Sequence, residues 1–194
     1  MNRNPLSSLA RKLRTAVFLV LLVGGTSSAM SEDSFQLFDY LPKDLPSNDD
    51  GPVVELVTDP VKVGDQSVSI NLSKDFWLPF KLEGPDLSAY NTLHFWAYSP
   101  EITDASILIQ AHSPNRDGDE QASDEWRNFF RYTFKTDFQG WQEFNINFED
   151  FVADGNPVGW DKIQILGFGV GSYGIMATPG AKVIINDLKF INVK

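Results

Sequence analysis

His94-x-Trp96-x-Tyr98 sets three ring-bearing side chains two residues apart. On an extended strand this spacing projects all three from one face. If Leu93, Phe95 and Ala97 fill a core from the other face, the three rings must meet solvent, another segment or a ligand. Indole and phenol planes suit the C–H patches of sugar rings, whose hydroxyls need polar partners at the edge. Gln110, His112 and Arg131, expected on neighbouring strands, would supply those partners. The plainer alternative puts Trp96 and Tyr98 beneath the long loops, or beneath the N-terminal segment around Phe35 and Phe38.

Other chemistries find less support. Arg127, Arg131 and Lys135 share a face if residues 126–136 are extended, with Arg116 in the preceding loop. A guanidinium fork there would take a carboxylate, a sulfate or sugar hydroxyls. Simple pairing with Asp117, Asp119, Glu120, Asp124 and Glu125 competes with that reading. Asn115-x-Asp117-x-Asp119 begins like a calcium loop, but Glu120 and Trp126 stand where an EF-hand needs Gly and Glu. Only a looser calcium site stays open. No G-x-S-x-G, H-E-x-x-H or phosphate-binding loop occurs. The two histidines, His94 and His112, could abstract a proton beside an arginine as a lyase requires. A hydrogen-bonded structural histidine is the commoner outcome. With no cysteine, disulfides, thiol catalysis, cysteine–zinc sites and a lipid-attachment cysteine are all excluded. The residues therefore favour binding without catalysis and without a required cofactor.

Residues 1–29 read as an export signal: a basic stretch from Arg3 to Arg14, an apolar run from Ala16 to Val23, then small residues ending at Ala29. That run is well short of the roughly 20 residues that span a bilayer. Cleavage before Met30 and a periplasmic or extracellular destination are expected, with no membrane attachment afterwards. The whole chain has a formal charge of −10. Loss of Arg3, Arg11, Lys12 and Arg14 leaves 12 Lys and Arg against 26 Asp and Glu, a net −14. Such a surface repels nucleic-acid backbones and anionic membranes.

The mature chain reads as one domain, with an N-terminal strand and loop at 30–52 and a β-sandwich at 53–194. Period-two alternation recurs at 67–72, 92–99, 106–112, 128–136 and 182–193. About nine strands are expected, and one short helix capped by Asn147 and closed by Gly155. Long connections at 83–91, 113–127 and 150–162 argue for an all-β jelly roll of two antiparallel sheets rather than a meander.

Several phrases then form a pattern in order: Asp86-Leu-Ser-Ala-Tyr90, Leu93-His-Phe-Trp-Ala-Tyr-Ser99, Phe130-Arg-Tyr-Thr-Phe134, Gly140-Trp-Gln-Glu-Phe144, Asn156-Pro-Val-Gly-Trp160 and Ile184-Ile-Asn-Asp-Leu188. This resembles the galactose-binding-like, carbohydrate-binding-module-like jelly rolls of secreted bacterial polysaccharide-degrading systems. The resemblance implies a non-catalytic domain whose partner is a polysaccharide or oligosaccharide, working beside a secreted catalytic protein. Trp141 and Trp160 are then expected to seal the sandwich ends. The resemblance also implies a structural calcium near the last strand, where this chain has Asn186 and Asp187 in place of two acids. A similar fold in the complex I intermediate-associated family supplies the alternative of an assembly subunit. A small lyase or hydrolase is the remaining one.

Overall fold

A computed structural model describes residues 34–49, 51–82, 86–113 and 128–194. The expected signal at 1–29, the cations Arg116 and Arg127, and the Asn115–Asp119 loop lie outside the described residues. Alternating sequence becomes thirteen strands among those described: β1 (Ser34–Gln36), β2 (Ser47–Asn48), β3 (Gly51–Pro52), β4 (Val54–Val57), β5 (Ser67–Asn71), β6 (Phe76–Lys81), β7 (Thr92–Ser99), β8 (Ser106–His112), β9 (Phe129–Lys135), β10 (Gly140–Asn147), β11 (Val152–Asp154), β12 (Ile165–Val170) and β13 (Lys182–Ile191). The first sheet runs β10-β7-β13-β5-β4, with β1 also paired to β13. The second runs β11-β9-β8-β12-β6, and β2-β3 is a separate small ribbon. All pairings are antiparallel. The architecture is the expected jelly-roll β-sandwich.

Aromatic rings fill the space between the layers. Leu93, Phe95 and Ala97 of β7 are fully buried. Phe95 stacks on Phe144 of β10 at 5.0 Å, then meets Phe134 and Phe168 of the opposite sheet at 5.4 and 5.9 Å. Ring pairs of this kind add about 0.5–1.5 kcal/mol each beyond their buried area. They hold the layers together in a chain without disulfides.

Two local expectations change. Residues Phe148–Asp150 form a single 3-10 turn, and Asn147 makes no side-chain cap to it. The Asn147 amide oxygen instead accepts from the Thr92 hydroxyl at 3.3 Å, and the chain continues into β11 rather than ending at Gly155. Trp160 closes the sandwich as expected, stacked 3.8 Å from Phe148 and 5.1 Å from Phe130. Trp141 does not. It lies beside Tyr98 at 5.3 Å, on the outer face of the first sheet. Among the described residues, no helix is long and apolar enough to cross a membrane.

Candidate functional site

The outer face of the second sheet is built around a bare patch of backbone. Gly167 and Gly169 of β12 share one parity, and Leu166 and Phe168 between them are buried in the core. A Cβ on Gly167 would lie 2.2 Å from Cη2 and Cζ2 of Trp77, and one on Gly169 would lie 2.9 Å from its Cε3. The indole of β6 therefore lies across both glycines in van der Waals contact, an approach only glycine permits. His112 of β8 meets Trp77 edge-on at 5.6 Å and packs against Phe129 of β9 at 5.1 Å. Gln110 and Arg131 pair across β8 and β9 on the same face. Asp154 of β11 accepts from the Arg131 guanidinium.

Tyr173, in the β12–β13 connection, completes this face. Its backbone is left-handed at φ 54, unusual for an aromatic residue, and its side chain is 57% exposed. The ring lies edge-on to Phe129 at 5.5 Å and 5.7 Å from the Arg131 guanidinium. Partial burial raises the Tyr173 phenol above its ordinary pKa, Asp154 adds to the rise, and Arg131 opposes it. The phenol remains a neutral hydrogen-bonding group at physiological pH.

The outer face of the first sheet is graded from amide to aromatic. Across β10, β7 and β13, Asn145, His94 and Lys189 lie abreast, followed by Glu143, Trp96 and Asn186, then Trp141, Tyr98 and Ile184. His94 is buried, with Nδ1 2.8 Å from Asn145 Oδ1 and Nε2 3.3 Å from Asp187 Oδ2. Lys62, from the β4–β5 connection, sets its ammonium 4.4 Å above the Trp96 ring. Trp96 and Tyr98 stay partly exposed. Phe35 packs instead with Tyr40, Tyr90 and Phe190, away from this face.

These positions correct the expected single constellation. His94, Trp96 and Tyr98 share a face of β7 as parity required, but Gln110, His112 and Arg131 belong to the other sheet. The six residues form two groups on opposite outer faces, because the 100–105 connection carries the chain across the sandwich. For the same reason His94 and His112 cannot act as one proton-abstracting pair.

Asn186 and Asp187, which the resemblance places near a calcium, have partners within the protein. A bulge in β13 turns both consecutive residues outward. Asn186 is fully buried, and its Oδ1 accepts from the Val63 N–H at 2.7 Å. Its Nδ2 faces the carbonyls of Gln66 and Val63 at 2.8 and 3.1 Å and the Ser67 hydroxyl at 3.2 Å. Asp187 is held by Lys189 at 3.1 Å as well as by His94. Calcium needs about six to eight oxygens. Asn186 Oδ1 and Asp187 Oδ2 are already engaged, and among the described residues no cluster of three or more His, Cys, Asp or Glu is arranged to hold a metal.

Sequence reasoning missed Trp77, Tyr173 and the role of the two glycines. Its available signal was Gly167-x-Gly169 inside an otherwise apolar strand, since glycines of one parity mark a face approached closely by another group.

No protein-family model matches the chain, and no curated protein matches it. Solved structures do share its fold. The family 11 carbohydrate-binding module of the cellulosomal cellulase Lic26A-Cel5E of Clostridium thermocellum is 14% identical, with a TM-score of 0.57 over 86% of this chain and 97% of that one. The family 30 module of the cellulosomal cellulase Cel9D-Cel44B of the same organism is 17% identical, with a TM-score of 0.54 over 82% and 90%. A further match is the Clostridium thermocellum family 11 module in complex with a β-1,3-1,4-mixed-linked tetrasaccharide. It is 14% identical, with a TM-score of 0.54 over 72% of this chain and 82% of that one. The fold is thus that of the carbohydrate-binding-module β-sandwiches.

Proposed function

We propose that this chain is an exported, non-catalytic carbohydrate-binding protein that holds a neutral polysaccharide on the outer face of its second sheet. The observation that carries the reading is Trp77 supported flat across Gly167 and Gly169. A ring fixed from beneath by backbone loses little freedom when a sugar stacks on it. Tyr173, which is exposed, and Arg131, which is partly exposed, offer groups suited to hydroxyls beside it, while Gln110 and His112 are buried on the same face. Arg131 is already paired with Asp154, which leaves its guanidinium less free to take a polyanion. The two histidines lie on opposite faces, which favours binding over proton abstraction. The tetrasaccharide complex of a structural neighbour makes mixed-linkage β-glucan the first ligand to try. Export rests on the signal-like residues 1–29, and action beside a secreted catalytic protein on the resemblance alone.

Affinity should lie between tens of micromolar and millimolar, about −4 to −7 kcal/mol. Electrophoresis of the purified protein through gels cast with mixed-linkage β-glucan tests this. The expected result is retention that changes little with salt and is lost in Trp77→Ala. Retention that weakens steeply as salt rises points to an anionic glycan and overturns the neutral assignment. No retention on any polysaccharide overturns the whole reading in favour of an assembly role.

A further inference from the structure

We infer that the protein is two-sided, with a second and separate saccharide site on the outer face of the first sheet, so that one molecule bridges two polymer strands. The inference rests on the reading that the chain binds saccharide, and extends it to a surface built independently of the Trp77 platform.

The second surface has the two components a neutral sugar requires. Its polar part is a cleft of about 460 Å³ whose lining includes Thr92, His94, Glu143, Asn145, Asn147 and Lys189. That volume lies in the range of small-ligand sites, roughly 300–1,000 Å³. The amides of Asn145 and Asn147 are exposed and offer both donors and acceptors. Lys189 is paired with Asp187, and His94 lies between Asp187 and Glu143, so the cleft presents no free cation to an anionic group. This cleft suits hydroxyls better than a carboxylate or sulfate. Its apolar part follows along the same strands, with Trp96 beside Glu143 and Tyr98 beside Trp141. The Lys62 ammonium, 4.4 Å above the Trp96 ring, must swing aside for a sugar to stack there and then stands beside it as an N–H donor. Two sheets and the core between them, about 10 Å from layer to layer, separate this surface from Trp77. A single polymer strand cannot lie on both.

Calorimetric titration with a β-1,3-1,4-linked tetrasaccharide, and light scattering of the protein mixed with mixed-linkage β-glucan, test the inference. Four proteins are compared: wild type, Trp77→Ala, the double variant Trp96→Ala/Trp141→Ala, and all three changes together. Far-UV circular dichroism confirms folding, and Tyr173→Ala replaces Trp77→Ala if that variant does not fold. Wild type should bind two tetrasaccharides per chain and each single-face variant one, while the triple variant binds none. Scattering from bridged glucan should fall at least about tenfold in either single-face variant, because a protein with one working site cannot link two strands. One tetrasaccharide per wild-type chain, with Trp96→Ala/Trp141→Ala unchanged, overturns the second site and leaves the proposed function standing. Binding unchanged in Trp77→Ala but abolished in Trp96→Ala/Trp141→Ala overturns both the two-sided inference and the assignment of the first face. No binding by wild type removes the proposed function and the inference together.

Discussion

The two outer faces hold their tryptophans by opposite means. On the second sheet, side chains have been removed beneath Trp77, and the indole rests on the backbone of Gly167 and Gly169. On the first sheet, Trp96 is held from the loop side by Lys62, and that loop is tied down by the buried Asn186 amide. A backbone support cannot change rotamer, whereas a lysine can leave at little cost. The first platform is therefore rigid and the second adaptable. The same aromatic chemistry can be preorganised to different degrees by what lies next to the ring.

Substitutions that remove each support sharpen this contrast. The largest effect is expected at Asn186→Ala, which leaves the Val63 N–H and the Val63 and Gln66 carbonyls without their partner. About 2–4 kcal/mol should be lost, read as a lower urea midpoint. The exposed Asn145→Ala should change stability by less than about 0.5 kcal/mol. Equal losses at the two positions would show that Asn186 does not pin the loop. Next comes Gly167→Ala, whose methyl group would overlap the Trp77 ring and cost about 1–3 kcal/mol together with the platform. Gly169→Ala, with the looser 2.9 Å approach, should cost less. If neither moves the urea midpoint, the rigid-support argument fails. The smallest effect concerns alkaline stability. Tyr173 releases its proton at higher pH in the folded protein than in the unfolded chain. Its contribution is complete below pH about 10 and is lost as pH rises through the higher folded value. Phenolate absorbance should show a late-titrating step that Tyr173→Phe removes.

Parity within a strand was legible from sequence, and assignment of strands to sheets was not. Alternation at 92–99 placed Leu93, Phe95 and Ala97 inward because a period of two leaves no other choice once one face is buried. β8 is different: Ile107 to His112 are all buried, so both parities look alike and neither announces a ligand face. Nothing local distinguishes a connection that returns within a sheet from one that crosses the sandwich. For that reason β7 and β8, consecutive in sequence, were expected as neighbours and are found in opposite layers. The Asn186 amide was equally hidden. Its partners, Val63, Gln66 and Ser67, lie more than 100 residues away, and a polar residue within a strand carries no local sign of burial.

The last strand has a consequence for how the domain comes into being. β13 pairs with β7 along one side and with β5 and then β1 along the other. Three pieces of the first layer thus wait for the final segment to be synthesised. Until residues 182–191 are available, their hydrogen-bonding edges face water. The domain must therefore form late and all at once, through contacts between distant parts of the chain, in the slow regime of milliseconds to seconds expected for such topologies. Truncation before Lys182 would leave an aggregation-prone set of open edges in place of a smaller folded protein.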